Sequence, residues 1–512
     1  MMIRNSLLLL CRLQRCLLLG SLLLVPAASR ADESKSAPLP KGLLLKQPVM
    51  PDSLNDTMRS VNERLSQDVA PSDNAAVLLV QVCGEDVFDP VLKADSLAML
   101  GIASLAPSPA PFVYFQQFAD SLGPDEKATL GHDLDALPLH LATAIVRPWK
   151  QDEYPALLPF LEANRHSLDL LVEASRKPKY YAPVLSEAEP PQLLSMSVTL
   201  ERRLPFLVRC LSARAMLRVT EQKGDQAIED LVACQRLAVL LATGSPFDVS
   251  AIKAHQMEGV AFQASTTVLQ AGGFTGAEAK NYLAKLKEIK PLPPAAIAAD
   301  VGERAVLRRQ IELLKLEDST LGAFFEFPDT AKFPKLEQLR LSVADWDQVF
   351  ARANEVQDEV VKALSTKERD VQSQLFTALD EAYAAWDEQN AANRITTEDL
   401  KKLSRFIGET MAMSLRPRYR QLRQLDDRAQ LRRDLLLLSL SAVSYRADHQ
   451  AYPATLADLT PEYLEIVPRD ANGEPFRYDR LSAGGVRLVS LGSNLENDAG
   501  LSFNDDIVIA LP

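Results

Sequence analysis

The stretch LLSMSVTLERRLPFLVRCLSARAMLRVTEQKGDQAIEDLVACQRLAVLLATG, residues 193–244, constrains the fold more than any other. Its apolar residues recur at spacings of three, four and seven, the period of a helix face rather than of a strand. Lys223-Gly224 interrupts the pattern. Gly224 reads as the stop of a first helix and Asp225 as the N-cap of a second. On the second arm Ala227, Leu231, Cys234, Ala238 and Leu241 fall along one stripe. The two arms are therefore expected to lie antiparallel, apolar stripe against apolar stripe.

Such a hairpin resembles one tetratricopeptide-type unit. No second copy recurs at a period near 34 residues, so an irregular helical-hairpin body is expected rather than a solenoid. The same period continues elsewhere. PALLPFLEANRHSLDLLVEASRK places Leu157, Phe160, Leu161, Leu168, Leu171 and Val172 on one face. VSAIKAHQMEGVAFQASTTVLQAGG predicts a helix stopped by Gly272-Gly273. KPLPPAA at 290–296 punctuates the chain before GERAVLRRQIELLKLED resumes it, and FFEFPDTAKFPKL reads as an apolar loop. Residues 344–450 are nearly all helical in pattern, with a break before a helix capped by Thr397 and another at Pro417. The fold class is mainly α.

The opening MMIRNSLLLLCRLQRCLLLGSLLLVPAASRADES has the parts of a signal peptide. Arg4, Arg12 and Arg15 precede the apolar run Leu17–Val25, and Ser29-Arg30-Ala31 offers a small-x-small cleavage site. The run is about half the ~20 residues of a spanning helix. An exported protein, periplasmic or extracellular, is expected, with residues 1–31 as signal and 32–75 as a polar arm. The formal net charge is −12, and loss of residues 1–31 removes four arginines and no acids, which makes it −16. Such a surface repels nucleic acid and favours cations.

Of five cysteines, Cys83, Cys210 and Cys234 lie beyond the signal. Three are too few for a disulfide framework. Cys210 and Cys234 flank the hairpin turn at similar levels, and read either as one bridge or as two buried free thiols.

Motifs of catalysis are scarce. His132, His140, His166, His255 and His449 form no HxxxH or HExxH pattern, and Cys-x-x-Cys, G-x-S-x-G and phosphate-loop signatures are absent. The cluster His132–Asp135 reads as a helix start. Glu201 and Glu229, on opposite arms of the hairpin, are the candidate carboxylate couple for an alternative reading, a hydrolase acting on an envelope polymer. RPRYRQLRQLDDRAQLRRD, residues 416–434, carries seven arginines. Asp426, Asp427 and Asp434 interleave with them above a core face of Leu422, Leu425, Ala429, Leu436 and Leu440. It reads as a solvated helix face.

After Tyr452-Pro453 the pattern changes. ATLADLTPEYL is a short helix and turn, and EPFRYDRL, GVRLVSLGS and DIVIALP alternate as three antiparallel strands. Between the last two lies SNLENDAGLSFNDD, with Asn494, Asn497, Asp498, Asn504, Asp505 and Asp506. Oxygen-only side chains on one glycine-containing loop suit calcium; an ordinary polar hairpin loop is the equal alternative.

This tail resembles the globular domain of the type II secretion major pseudopilin. Tyr452, Pro453, Leu456, Leu459, Pro468, Asp470, Gly473, Pro475, Tyr478, Ser490, Gly492, Gly500, Asp506 and Ile507 stand at the matching positions. The helical body resembles exported bacterial proteins of no known activity that carry the same tail. The resemblance implies a small α+β pseudopilin-like domain at 429–512 with a three-stranded antiparallel sheet, following a helical domain at 76–428. It also implies calcium in the last loop. Asn494 stands where that family usually has Asp, which weakens the site, while Asp506 matches its closing Asp. The expected ligands are Asn494, Asp498 and Asp505 or Asp506. The function expected is that of an exported non-enzymatic scaffold, its partner a secretion-system or envelope protein, with no nucleic acid.

Overall fold

The computed structural model describes residues 56–84, 87–102, 111–316, 343–392, 400–414, 419–470, 473–482, 484–492 and 506–512. Residues 1–31, read above as a signal, the FFEFPDTAKFPKL segment, Thr397 and Pro417 lie outside them. No helix among the described residues is long and apolar enough to cross a membrane.

The chain is mainly helical, with a small antiparallel sheet near residue 500. Its principal helices are α1 (Asp56–Ser66), α2 (Ala75–Cys83), α3 (Arg165–Ser175), α4 (Thr199–Thr220), α5 (Gly224–Gly244), α6 (Asp248–Gln270) and α7 (Gly276–Glu288). They continue with α8 (Arg304–Leu316), α9 (Trp346–Ser365), α10 (Arg369–Ala392), α11 (Leu400–Ser414) and α12 (Tyr419–His449). Shorter helices fill the interval between α2 and α3.

The α4–α5 hairpin is the centre of the body. The stripe Ala227, Leu231, Cys234, Ala238 and Leu241 is buried, as are Leu204, Leu207, Leu211 and Ala215 on the facing arm. Each leucine so buried contributes roughly 1.5–3 kcal/mol of transfer free energy. The turn is built differently from the expectation. Gln222, not Gly224, takes the left-handed conformation, with φ 58°, and Gly224 is the first residue of α5. A Cβ at Gly224 would meet the Glu278 carboxyl, so a larger residue there would displace that side chain. That carboxyl is held in turn by the α7 N-terminus: its Oε2 accepts from the Thr275 N–H at 2.7 Å, and Thr275 Oγ1 accepts from the Glu278 N–H at 3.3 Å. A capping box thus sets the contact between α7 and the hairpin.

The face of PALLPFLEANRHSLDLLVEASRK is buried as expected, but the helix divides at Asn164. That side chain, 1% exposed, accepts from the Val113 N–H at 2.7 Å and donates to the Val113 carbonyl at 3.0 Å. Asparagine competing for backbone partners explains the break. Cys210 and Cys234 are free buried thiols. Cys234 Sγ lies 3.6 Å from the Val208 carbonyl oxygen and 3.7 Å from Ser212 Oγ. Burial pushes the Cys234 thiol up to about 12.

Within the segment read as a polar arm, residues 56–66 form α1. Thr57 Oγ1 donates to Glu312 of α8 at 2.7 Å, and the buried Asn62 Nδ2 donates to the Val184 carbonyl at 2.8 Å. Those contacts tie α1 to the body, which composition alone did not reveal.

The strands are β1 (Arg477–Arg480), β2 (Val486–Ser490) and β3 (Ile507–Leu511), in the order β1-β2-β3, antiparallel throughout. Tyr478, Leu488 and Ile509 align on the inner face, and Asp479, Arg487 and Ala510 on the outer. The sheet does not form a separate core. Val486, Leu488, Ile509 and Leu511 belong to the same apolar cluster as Ala75, Trp149 and the α4–α5 hairpin. The connecting element is α12. Its first residues, Tyr419 and Leu422, pack with Val360, Leu364 and Phe376, while Leu431 through Ala442 enter the main cluster. A boundary at residue 429 therefore falls inside one continuous helix.

Candidate functional site

Five of the residues that carry the pseudopilin resemblance, Pro453, Asp470, Gly473, Tyr478 and Ser490, take part in an internal frame. Asp470, 8% exposed, accepts from Ser490 Oγ at 2.6 Å and from the Leu491 N–H at 3.3 Å. The Gly473 N–H donates to the Asp470 carbonyl at 2.9 Å, with Gly473 at φ 81°, a conformation glycine adopts without strain. Tyr478 Oη donates to the Pro453 carbonyl at 2.9 Å. Leu456 and Leu459 fill the core beneath. Ser490 pairs with Ile507, so the segment between them leaves and returns at fixed points.

Of the expected calcium ligands, Asn494, Asp498 and Asp505 lie outside the described residues; Asp506 is described and directly precedes β3. Among the described residues no group of three or more His, Cys, Asp or Glu side chains is arranged to hold a metal ion.

The carboxylate couple Glu201 and Glu229 does not form. With the turn at residues 221–223, Glu201 stands about 30 Å down one arm and Glu229 less than about 10 Å down the other. The Glu201 carboxylate instead meets the junction of α5 and α6, accepting from Ser245 Oγ at 2.8 Å and Ser250 Oγ at 2.6 Å. Burial pushes its pKa up, against the pull of those two hydroxyls. Glu229 accepts from Arg176 at 2.8 Å and pairs with Lys285 at 2.7 Å. Two glutamates about 20 Å apart along a hairpin cannot flank one scissile bond.

The structure brings together a different set. A cavity of about 590 Å³ opens between α6, α12, the end of α7 and the 289–294 loop. On its α6 wall, His255 Nε2 lies 3.1 Å from Asp426 Oδ1, and Asp426 Oδ2 accepts from the Ala295 N–H at 2.7 Å. An ionised carboxylate can only accept, so Nε2 is the donor of this pair. One turn along, Glu258 accepts from Arg432 Nη1 at 2.9 Å. Burial pushes the Glu258 carboxyl up while Arg432 opposes it. Arg433 donates to the carbonyls of Leu286 and Ile289, the former at 3.2 Å, which closes the end of α7 in the favourable sense for a cation. Arg423 pairs with Asp427 at 2.8 Å and donates to the Leu364 carbonyl at 3.1 Å.

The charged stretch 416–434 is thus more than a solvated helix face. Arg423, Arg432 and Arg433 are half-buried, wedged between α12 and its neighbours. The signal was visible as arginines and aspartates alternating above an unbroken leucine stripe, but periodicity cannot tell a helix face against water from one against a cavity. The polar lining is made of histidine, carboxylates, glutamines and five cationic side chains.

Comparison of the chain with protein-family models, with curated proteins and with solved structures finds no match.

Proposed function

We propose that the chain is an exported, non-enzymatic scaffold whose pseudopilin-type C-terminal module docks on a secretion-system or envelope protein, in the periplasm or outside the cell. In this reading the loop between β2 and β3 binds calcium through Asp498, Asp505 or Asp506 and Asn494. The observation that supports it most is the frame around Asp470. Five of the residues that match the pseudopilin pattern are engaged in one another's support, which is what a shared architecture requires of them. The module also sits on the body through a common core, so whatever it contacts is positioned relative to the whole chain. The hydrolase alternative loses its proposed residues, since Glu201 is buried beneath two serines and Glu229 is held by Arg176 and Lys285.

The test is cross-linking in native envelopes followed by purification of the full chain. The expected result is one stoichiometric envelope or secretion partner, lost when Asp470→Ala loosens the module, together with a mature mass that begins near Asp32. Recovery of the chain alone, or cytoplasmic location with residues 1–31 intact, would overturn it.

A further inference from the structure

The cavity beside α12 carries more than structural charge. Five cations line it (Lys290, Lys367, Arg423, Arg432 and Arg433) against three carboxylates (Glu258, Asp426 and Asp427). Without counting His255, the lining holds two positive charges in excess, inside a chain whose formal net charge is −12. Each carboxylate already has a partner: Arg432, His255 or Arg423. Lys290 and Lys367, both exposed, have no ion pair among the described residues. Two lining side chains more than nine-tenths buried, His255 and Gln235, each keep a polar atom with no hydrogen-bond partner: Nδ1 of His255 and Oε1 of Gln235. Arg423 Nε is in the same state. Buried groups left so are costly, roughly 1–3 kcal/mol each.

Apart from Gln430 the rest of the lining is apolar, with Phe262, Leu286, Leu292 and Pro291 among it. The volume lies within the roughly 300–1,000 Å³ of small-molecule sites. An inorganic ion would leave the apolar wall uncovered, and a neutral lipid would leave the excess charge unmatched.

We propose that this cavity is a binding site for a small amphiphilic organic anion. Its apolar body lies against Phe262, Leu286 and Leu292, and its phosphate or carboxylate head among Lys290, Lys367 and Arg423. The inference does not depend on the scaffold reading or on the pseudopilin-type module.

Calorimetric titration of the full chain tests it with four eight-carbon probes below their micelle concentrations: octyl phosphate, octanoate, octyl glucoside and octyltrimethylammonium. Inorganic phosphate is the fifth ligand. The expected result is saturable binding of octyl phosphate or octanoate, at least about tenfold tighter than of the neutral and cationic probes. Lys290→Glu with Lys367→Glu should then weaken it by about tenfold or more, since reversing two mouth charges alters the field felt by the head. Both lysines are exposed and unpaired, so far-UV circular dichroism should remain that of the parent chain. Tighter binding of whichever anion, phosphate or carboxylate, names the head group. Equal binding of octyl glucoside, equal binding of inorganic phosphate, or an unchanged affinity in the double variant would overturn the proposal.

Discussion

Asp230 on α5 is the residue whose loss the helical body should tolerate least. It is fully buried and receives three charged hydrogen bonds: from Arg214 Nη2 at 2.7 Å, Arg214 Nε at 3.1 Å and Arg218 Nη1 at 2.7 Å. Arg214, itself 7% exposed, reaches onward to Asp169 at 2.7 Å. The substitution Asp230→Asn keeps shape and volume but removes the charge. Guanidinium and carboxylate centres about 4 Å apart attract by about 4 kcal/mol at an effective dielectric near 20. Breaking one side of a buried pair typically costs about 3–5 kcal/mol. Two circumstances reduce that here. The Asp169 side chain remains and is 57% exposed, and the Arg218 side chain, 19% exposed, can turn to water. The expected loss is therefore about 3 kcal/mol. The assay is equilibrium urea unfolding followed by tryptophan fluorescence. Trp149 is fully buried, and its indole N–H donates at 2.9 Å to the carbonyl of Ala213, the neighbour of Arg214, so it reports this region. The control is Asp230→Leu combined with Arg214→Met, which removes both charges and should recover most of the loss. A cost below about 1 kcal/mol for Asp230→Asn, or a double variant no more stable than the single one, would refute the argument that an uncompensated Arg214 is what destabilises.

Burial pushes the Asp434 carboxyl from its ordinary 3.8 up to about 6. Folding thus favours its protonated form, so its ionisation costs nothing below pH ~4 and its full amount above pH ~6, at most about 3 kcal/mol. Asp434→Asn should raise Tm at pH 8 and leave it unchanged at pH 4; a rise at both would contradict this. Asp470→Ala takes the acceptor from the Ser490 hydroxyl proton and the Leu491 N–H and should cost about 2 kcal/mol, seen as faster hydrogen exchange in β2 and β3, with β-strand exchange rates like those of the parent counting against it. Gly224→Ala must displace the Glu278 carboxyl and should lose about 1–3 kcal/mol, whereas Gly224→Ala made with Glu278→Ala should not show that steric loss in urea unfolding. Melting of the full chain in about 2 mM calcium and in chelator should differ by several degrees if the β2–β3 loop takes the ion; coincident curves would leave it a polar loop.

Much of this architecture was legible because it rests on period. The buried stripes of α3, α4 and α5 and the three strands are patterns in which the spacing of apolar residues states the geometry. What escaped was whatever depends on a partner distant in sequence. The role of Gly224 is decided by Glu278, the break at Asn164 by Val113, and the order of residues 56–66 by Thr57 meeting Glu312. The separation of Glu201 from Glu229 was available from the turn position and the helical rise alone. The cavity was not: Asp426 faces His255 and Arg432 faces Glu258 only because α12 packs on α6, and no local pattern encodes that pairing.

The common core has a consequence for how such a chain reaches its folded state. Ala75 and Leu511 belong to one cluster, so the body cannot finish burying its apolar surface until residues 486–511 are available to it. During synthesis the α4–α5 hairpin forms early from local contacts, while the faces of α6 and α12 on which the sheet packs stay open until it docks. Closure is then a late, long-range step. The interval before it is the window in which proteases and chaperones meet exposed leucine surface, and variants of the sheet should act first on that window.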